Sequence, residues 1–148
     1  KLKIIGAKIV SVKRELAESH YSNLKEQQIK KRGVEKGTEI FENTMRYIMG
    51  EFHTNRVFAL VYQGEDAIKK IREIIGPTNP EEAEPTTIRG RYGRIHSKTK
   101  VWENVVHSSD SPENAEKEIK LWFKPEELAE TIYPIETKEV KERRAFWK

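Results

Sequence analysis

Apolar positions recur along the chain with two periods, one suited to strands and one to helices. Leu2–Val12 (LKIIGAKIVSV) is rich in Ile and Val and predicts a strand. Glu15–Tyr21 has helical composition, with Leu16 and His20 one turn apart. The polar, lysine-rich stretch from Ser22 to Thr38 is broken by Gly33 and Gly37 and predicts a loop or a short exposed helix. In Thr38–Met49, residues Ile40, Phe41, Thr44, Met45 and Ile48 form one helical stripe, and Gly50 is the expected stop. Arg56–Gln63 (RVFALVYQ) is a continuous apolar run of strand length and predicts a strand buried on both faces. Glu65–Ile75 turns Ile68, Ile71 and Ile75 inward as a helix, which Gly76-Pro77 ends.

Thr78–Thr87, with Pro80 and Pro85, predicts an irregular loop. Thr87–Lys100 carries two glycines and a dense basic cluster, and Val101–His107 predicts a short strand ending in the histidine. Ser111 is a good N-cap and Pro112 fits the first helical position of a helix running to about Phe123. Glu113–Lys117 and Glu116–Lys120 have the spacing of ion pairs on its solvent side. Pro125–Leu128 predicts a further turn. Residues 1–130 read as one domain and 131–148 as a polar tail that wraps or docks. The order of elements predicts an α+β fold, an antiparallel sheet with helices packed on it.

Composition narrows the class. The 148 residues are 35% charged with a mean hydropathy of −0.79, and no run approaches a membrane span. The 28 basic and 24 acidic residues are interspersed, which argues against disorder. The net charge of +4 and pI near 9.2 favour anionic partners such as nucleotides and nucleic acids. Without cysteine there is no disulfide, thiolate chemistry or thiolate zinc site, which fits a reducing cytosol. Charges at Lys1, Lys3 and Lys8 leave no apolar leader at the start, so a cytoplasmic location is expected. Neither a Walker-type phosphate loop nor a Gly-x-Gly-x-x-Gly fingerprint is present. Serine-hydrolase signatures are absent too.

Three clusters carry candidate chemistry. His107 precedes a capped helix, where backbone amides favour anions, and neutral imidazole is a competent nucleophile. Glu118 shares a helical face with Ala115, Ile119 and Trp122, so its carboxylate needs a partner, and His107 sits at the base of that helix. The same spacing also suits a strand-end histidine bonded to backbone with Glu118 paired to a lysine. Arg72, Thr78 and Arg89 could clamp a polyphosphate, since guanidinium forks match phosphate oxygens; equally, both arginines could be surface charges. The basic stretch Arg89, Arg91, Arg94, Lys98 and Lys100, interleaved with Tyr92 and His96, could bind nucleic acid or form a solvated face.

Taken in order, these segments resemble the nucleoside diphosphate kinase family. Gly76-Pro77-Thr78-Asn79-Pro80 is similar to its G-x-T-N-P loop and Thr87-Ile88-Arg89-Gly90 to its T-I-R-G. Asn104-Val105-Val106-His107-Ser108-Ser109-Asp110-Ser111 resembles its N-x-x-H-x-S-D-S signature, and similarity continues through Ala115–Ile119 and Leu121-Trp122-Phe123.

The resemblance implies a ferredoxin-like antiparallel sheet and ping-pong transfer of the γ-phosphate of a nucleoside triphosphate to a nucleoside diphosphate. His107 would carry the phosphate, Glu118 would hold its ring, Ser109 would bond nearby, and Tyr21 would support the site. Arg72, Thr78 and Arg89 would bind the phosphates, Asn104 the sugar, and Ile40 or Phe41 the base. Mg²⁺ would arrive on the phosphates of ATP or another nucleotide, with no ligand of its own from the protein. A hexameric or tetrameric homo-oligomer is expected. The family's opening strand, with a V-K-P-D-G-like segment, and its following helix have no counterpart here; the expectation is that they belong to a part of the protein before Lys1. Ser22–Glu39 and Arg91–Glu103 hold extra residues. A catalytically impaired nucleotide-binding or nucleic-acid-interacting relative is the alternative.

Overall fold

A computed structural model describes residues 1–98, 101–143 and 145. Lys100 of the basic stretch and the last tail positions, 144 and 146–148, lie outside the described residues. Strand β1 (Lys3–Ser11) leads to helices α1 (Arg14–His20), α2 (Leu24–Arg32) and α3 (Val34–Ile48). Strand β2 (Arg56–Gln63) follows, then α4 (Ala67–Ile75), α5 (Ile88–Tyr92), β3 (Arg94–Ile95), β4 (Trp102–Glu103) and α6 (Pro112–Trp122). Short 3₁₀ turns lie at Pro80–Glu82 and Pro125–Glu127. No helix among the described residues is long and apolar enough to cross a membrane.

β1 and β2 pair antiparallel, Lys3 opposite Gln63 and Ser11 opposite Arg56, with an irregularity between Ile4 and Gly6. Inner-face residues Ile5 and Val61 pack with Phe123 from the end of α6, and Ala59, Ile119, Leu128 and Ile132 close around them. Gly6 leaves room there for side chains, since a Cβ would lie 2.7 Å from Leu128 Cδ2 and push that side chain aside. A second core of Val12, Ala17, Phe41 and Met45 joins β1, α1 and α3. Trp122 packs against both clusters and so couples α6 to each.

Several expectations change. β2 is not buried on both faces: Phe58 and Tyr62 are exposed and stand opposite exposed Ile9 and Ile4. An apolar run cannot show which of its faces the described chain covers. The polar stretch after Tyr21 is a complete helix, α2, and α3 starts four residues before Thr38. Gly33, with φ 84°, makes the corner between them, which only glycine enters without strain. The extra residues there thus form a helical hairpin, and those after Arg91 form the β3–β4 ribbon. The strand of 101–107 shrinks to Trp102–Glu103, so His107 stands on irregular backbone. Lys117 donates to Ser22 Oγ (3.1 Å) instead of pairing with Glu113, while the Glu116–Lys120 pair forms.

Met45 is fully buried at the centre of the helical core. Met45→Ala should cost about 2–5 kcal/mol in urea unfolding, the cost of a large buried side chain cut to alanine.

Candidate active site

The loop after α4 begins at Gly76, whose φ of 82° stops the helix and whose N–H returns to Arg72 O. Asn79 caps the next turn by accepting from Glu81 N–H (3.2 Å), and Pro80 is buried. At Thr87 a hydroxyl accepts from Gly90 N–H and opens α5. A Cβ on Gly90 would lie 2.1 Å from Glu84 O, so backbone packing demands glycine. These contacts deliver Arg89 into the interior, only 5% exposed.

Arg89 acts first as a strut. Its Nη1–H donates to Gly76 O (2.9 Å), and its Nη2–H and Nε–H donate to Val106 O (2.9 and 3.3 Å). Two of its five N–H groups are left for a ligand. No carboxylate pairs with it among the described residues. Burial pushes its pKa down, and the nearby Arg72 charge adds to that.

Arg89 thereby grips a strained turn. Val105 has φ 57°, a left-handed conformation that a β-branched residue rarely adopts. Val106 N–H donates to Asn104 O (2.7 Å), closing a γ-turn over Val105. Such a residue carries about 1–3 kcal/mol of strain and persists only where its surroundings fix it. Asn104 Nδ2 donates to Thr78 O (3.2 Å), tying the turn to the Gly76 loop.

His107 emerges from this turn with its side chain 44% exposed. Its Nε2 lies 3.0 and 3.1 Å from the two carboxylate oxygens of Glu118, on the second turn of α6. Ser109 Oγ–H donates to Glu118 Oε2 (2.5 Å). Burial alone would raise the Glu118 carboxyl, but the bonds from His107 and Ser109 overcome it and hold the pKa below the ordinary value. A carboxylate facing Nε2 places the proton on that nitrogen and leaves Nδ1 with its lone pair outward. Ser111 caps α6 by accepting from Asn114 N–H, and Asp110 accepts from the Asn114 side chain. Ser108 Oγ is buried beside His107 without a protein partner.

Behind His107 lie His20 and Tyr21, at the end of α1, with ring centroids 4.5 and 6.4 Å away. Burial pushes the Tyr21 hydroxyl up. Burial, then the neighbouring His107, lowers the His20 pKa to about 4. Trp122 Nε1–H donates to His20 Nδ1 (3.1 Å). His20 and Trp122 are the contact residues that reading the sequence for chemistry missed; the signal was the one-turn spacing of Trp122 from Glu118.

The other residues fall as follows. Arg72 and Thr78 are exposed on the loop side, and their side chains make no hydrogen bond among the described residues. Phe41 points into the core, 6% exposed, under the Lys25 ammonium. It therefore cannot offer a face to a base, whereas Ile40 is half-buried at the surface. The basic stretch does not form a continuous face: Arg89 is interior, Arg94 pairs with Glu103, and Arg91 lies over Tyr92. A cavity of about 240 Å³ opens between α3 and the β3–β4 ribbon, lined in part by Asn43, Tyr47 and Val101.

The α+β scaffold presents a carboxylate-backed histidine next to a turn held by a buried arginine, and comparisons with known proteins put it in a class of nucleotide phosphotransferases. A family profile for nucleoside diphosphate kinase matches residues 1–128. A nucleoside diphosphate kinase of Carboxydothermus hydrogenoformans is 42% identical over 126 residues, 85% of this chain and 71% of that protein. The crystal structure of an NDP kinase from Pyrobaculum aerophilum superposes with a TM-score of 0.72 at 31% identity, covering 87% of this chain and 84% of that one. A transition-state mimic of the Borrelia burgdorferi enzyme with bound vanadate and ADP gives 0.69 at 28% identity, covering 93% and 76%. The chain belongs to the nucleoside diphosphate kinase family, with the α+β, ferredoxin-like architecture of its solved neighbours, and is an enzyme of nucleotide phosphate transfer.

The pH dependence of stability follows from His20. Its folded pKa, about 4, lies below its ordinary 6.5, so within that window the unfolded chain binds more protons. Stability present above pH 6.5 is therefore lost as pH falls toward 4. Unfolding free energy should drop by about 2 kcal/mol over this range, allowing for partial exposure. His20→Asn should flatten the slope between pH 6.5 and 4.5 in denaturant titrations.

Proposed function

We propose that His107 Nδ1 is the atom that carries the phosphate between the two nucleotides. One observation supports this above the rest: Nε2 is turned to Glu118, which leaves Nδ1 as the open lone pair. In the first half-reaction Nδ1 attacks the γ-phosphorus in line. A P–N bond forms, the bond from phosphorus to the β,γ-bridging oxygen breaks, and the departing diphosphate keeps that electron pair. The Nε2 proton stays in its bond to Glu118, which disperses the charge that the ring gains. A second diphosphate then attacks the phosphohistidine, and the steps run in reverse.

Charge placement favours the same reading. Arg72 and the two spare N–H groups of Arg89 form a cationic side facing the loop, and among the described residues no carboxylate pairs with Arg89. A polyphosphate relieves their mutual repulsion and satisfies the forks. Thr78 would add a hydroxyl and Asn104 a contact to the sugar. Ile40 is the residue left to cover the base, so base specificity should be weak. Ser109 and Tyr21 act through Glu118 and the His107 ring.

Mg²⁺ fits this site as a passenger on the phosphates. Among the described residues, His20, His107 and Glu118 are the group close enough to hold an ion, with ligand atoms within 4.8 Å of one another. One nitrogen of each ring is engaged: His107 Nε2 on Glu118 and His20 Nδ1 on Trp122. An ion there would displace the bond that orients the ring. When bound with the nucleotide, Mg²⁺ supplies neutralisation of phosphate charge. Residues 1–130 would make up the catalytic domain, in the cytoplasm, within a homo-oligomer that light scattering would size. The tail from 131 would be an appendage, pinned at its root by the Ala129 N–H bond to Ile5 O (2.7 Å).

Incubation with γ-labelled ATP and Mg²⁺ should give an acid-labile phosphoenzyme that loses its label to added diphosphate. His107→Ala should abolish both steps, and full exchange activity in that variant would refute the assignment. Glu118→Gln should slow transfer by about ten- to a hundredfold, the scale for a residue that orients rather than reacts. Separately, ADP at a hundred times its Kd should raise unfolding free energy by about 2.7 kcal/mol, and Arg72→Ala should erase most of that gain.

A further inference from the structure

His20 is used by no step above, yet it touches the reacting ring. Its ring centroid lies 4.5 Å from that of His107, edge to face at 83°. It also meets Tyr21 at 4.6 Å and 82°, and Trp122 at 5.6 Å and 86°. It is thus boxed by three rings, each nearly perpendicular to it. Trp122 in turn packs against both hydrophobic cores, so the box is anchored to the body of the protein.

The hydrogen bond from Trp122 fixes the chemistry of His20. An indole N–H can only donate. The nitrogen that receives it, Nδ1, must therefore be bare, and the single proton of a neutral ring must sit on Nε2. Protonation would put an N–H at Nδ1 against the indole N–H, two donors face to face, beside the ring of His107. The groups acting on His20 are His107, Glu118 and Lys117, with Tyr21 alongside. Only Glu118 favours a charged His20, and burial outweighs it.

We propose that His20 is a positioning residue for phosphoryl transfer: Trp122 holds it as the neutral Nε2–H tautomer, and its ring is the wedge that keeps His107 Nε2 on Glu118 and Nδ1 toward the phosphate. This rests on His107 being the phosphate carrier. Glu118 fixes one edge of the His107 ring, but a single hydrogen-bonded contact leaves the ring able to tilt about it. The perpendicular face of His20 removes that freedom. In-line attack requires the lone pair to point at phosphorus, so loss of the wedge should appear in kcat and not in nucleotide KM.

The test has two arms. Ring ¹⁵N NMR of the unaltered protein should show His20 with bare Nδ1 and protonated Nε2 from pH 8 to pH 5; a proton on Nδ1, or a charged ring at pH 6, overturns the proposal. In the second arm, His20→Ala should slow phosphoenzyme formation by about tenfold with nucleotide KM changed less than twofold. His20→Phe, which keeps a ring against His107, should recover most of that loss. A His20→Ala rate equal to that of the unaltered protein, or a Phe variant as slow as the Ala variant, overturns the wedge. If His20→Ala does not fold, the NMR arm and the Phe variant against the unaltered protein still decide. Failure of the unaltered protein to form any phosphoenzyme would instead sink the assignment of His107 itself.

Discussion

One buried guanidinium holds the site in shape. Arg89 spans two segments that the chain delivers separately, the corner after α4 and the turn before His107, and it bonds to a carbonyl in each. A buried charge with no acidic partner is costly. The local backbone is also held in a left-handed bend at Val105. Each feature would be a defect alone. Together they form a brace: the strained bend aims a carbonyl at the guanidinium, and the guanidinium holds the bend. What is left of the arginine's positive field faces the loop where anionic ligands would approach.

On the other side of His107 the arrangement reverses in sign. Glu118 sits behind the ring with its charge spread over bonds to His107 and Ser109. The imidazole thus has a carboxylate on one edge and follows directly on the turn that the guanidinium holds. The aromatic packing of His20, Tyr21 and Trp122 adds bulk without adding charge.

Much of this was legible in the residues, and the parts that were not share a cause. The glycines and caps spoke plainly, because a left-handed corner, a close backbone approach or an N-cap each demands a particular residue type: Gly76, Gly90, Thr87 and Ser111 all do what their identity requires. That Glu118 needs a partner followed from its place on an inward stripe; helical spacing left a lysine as good a partner as His107, and only the family resemblance pointed to the histidine. Contacts set by tertiary packing were out of reach. Nothing in RVFALVYQ distinguishes its covered face from its bare one. Ile40 and Phe41 are adjacent on the same stripe, and only the packing of α1 and β1 shows that Phe41 goes inward. The His20–Trp122 bond joins residues 102 positions apart, and no local period encodes it.

The eleven positions from His107 to Glu118 act as a ruler. Most of that span is helix from Pro112 onward, where each residue turns the axis by about 100° and lifts it by about 1.5 Å. A single insertion or deletion between Pro112 and Glu118 would swing the carboxylate to another side of the rod. The neighbouring loops carry no such constraint, and lengthening the hairpin of α2 and α3 or the ribbon of β3 and β4 leaves the ruler untouched. Length variation is therefore structurally cheap in the α2–α3 hairpin and the β3–β4 ribbon and costly in the helix that carries Glu118.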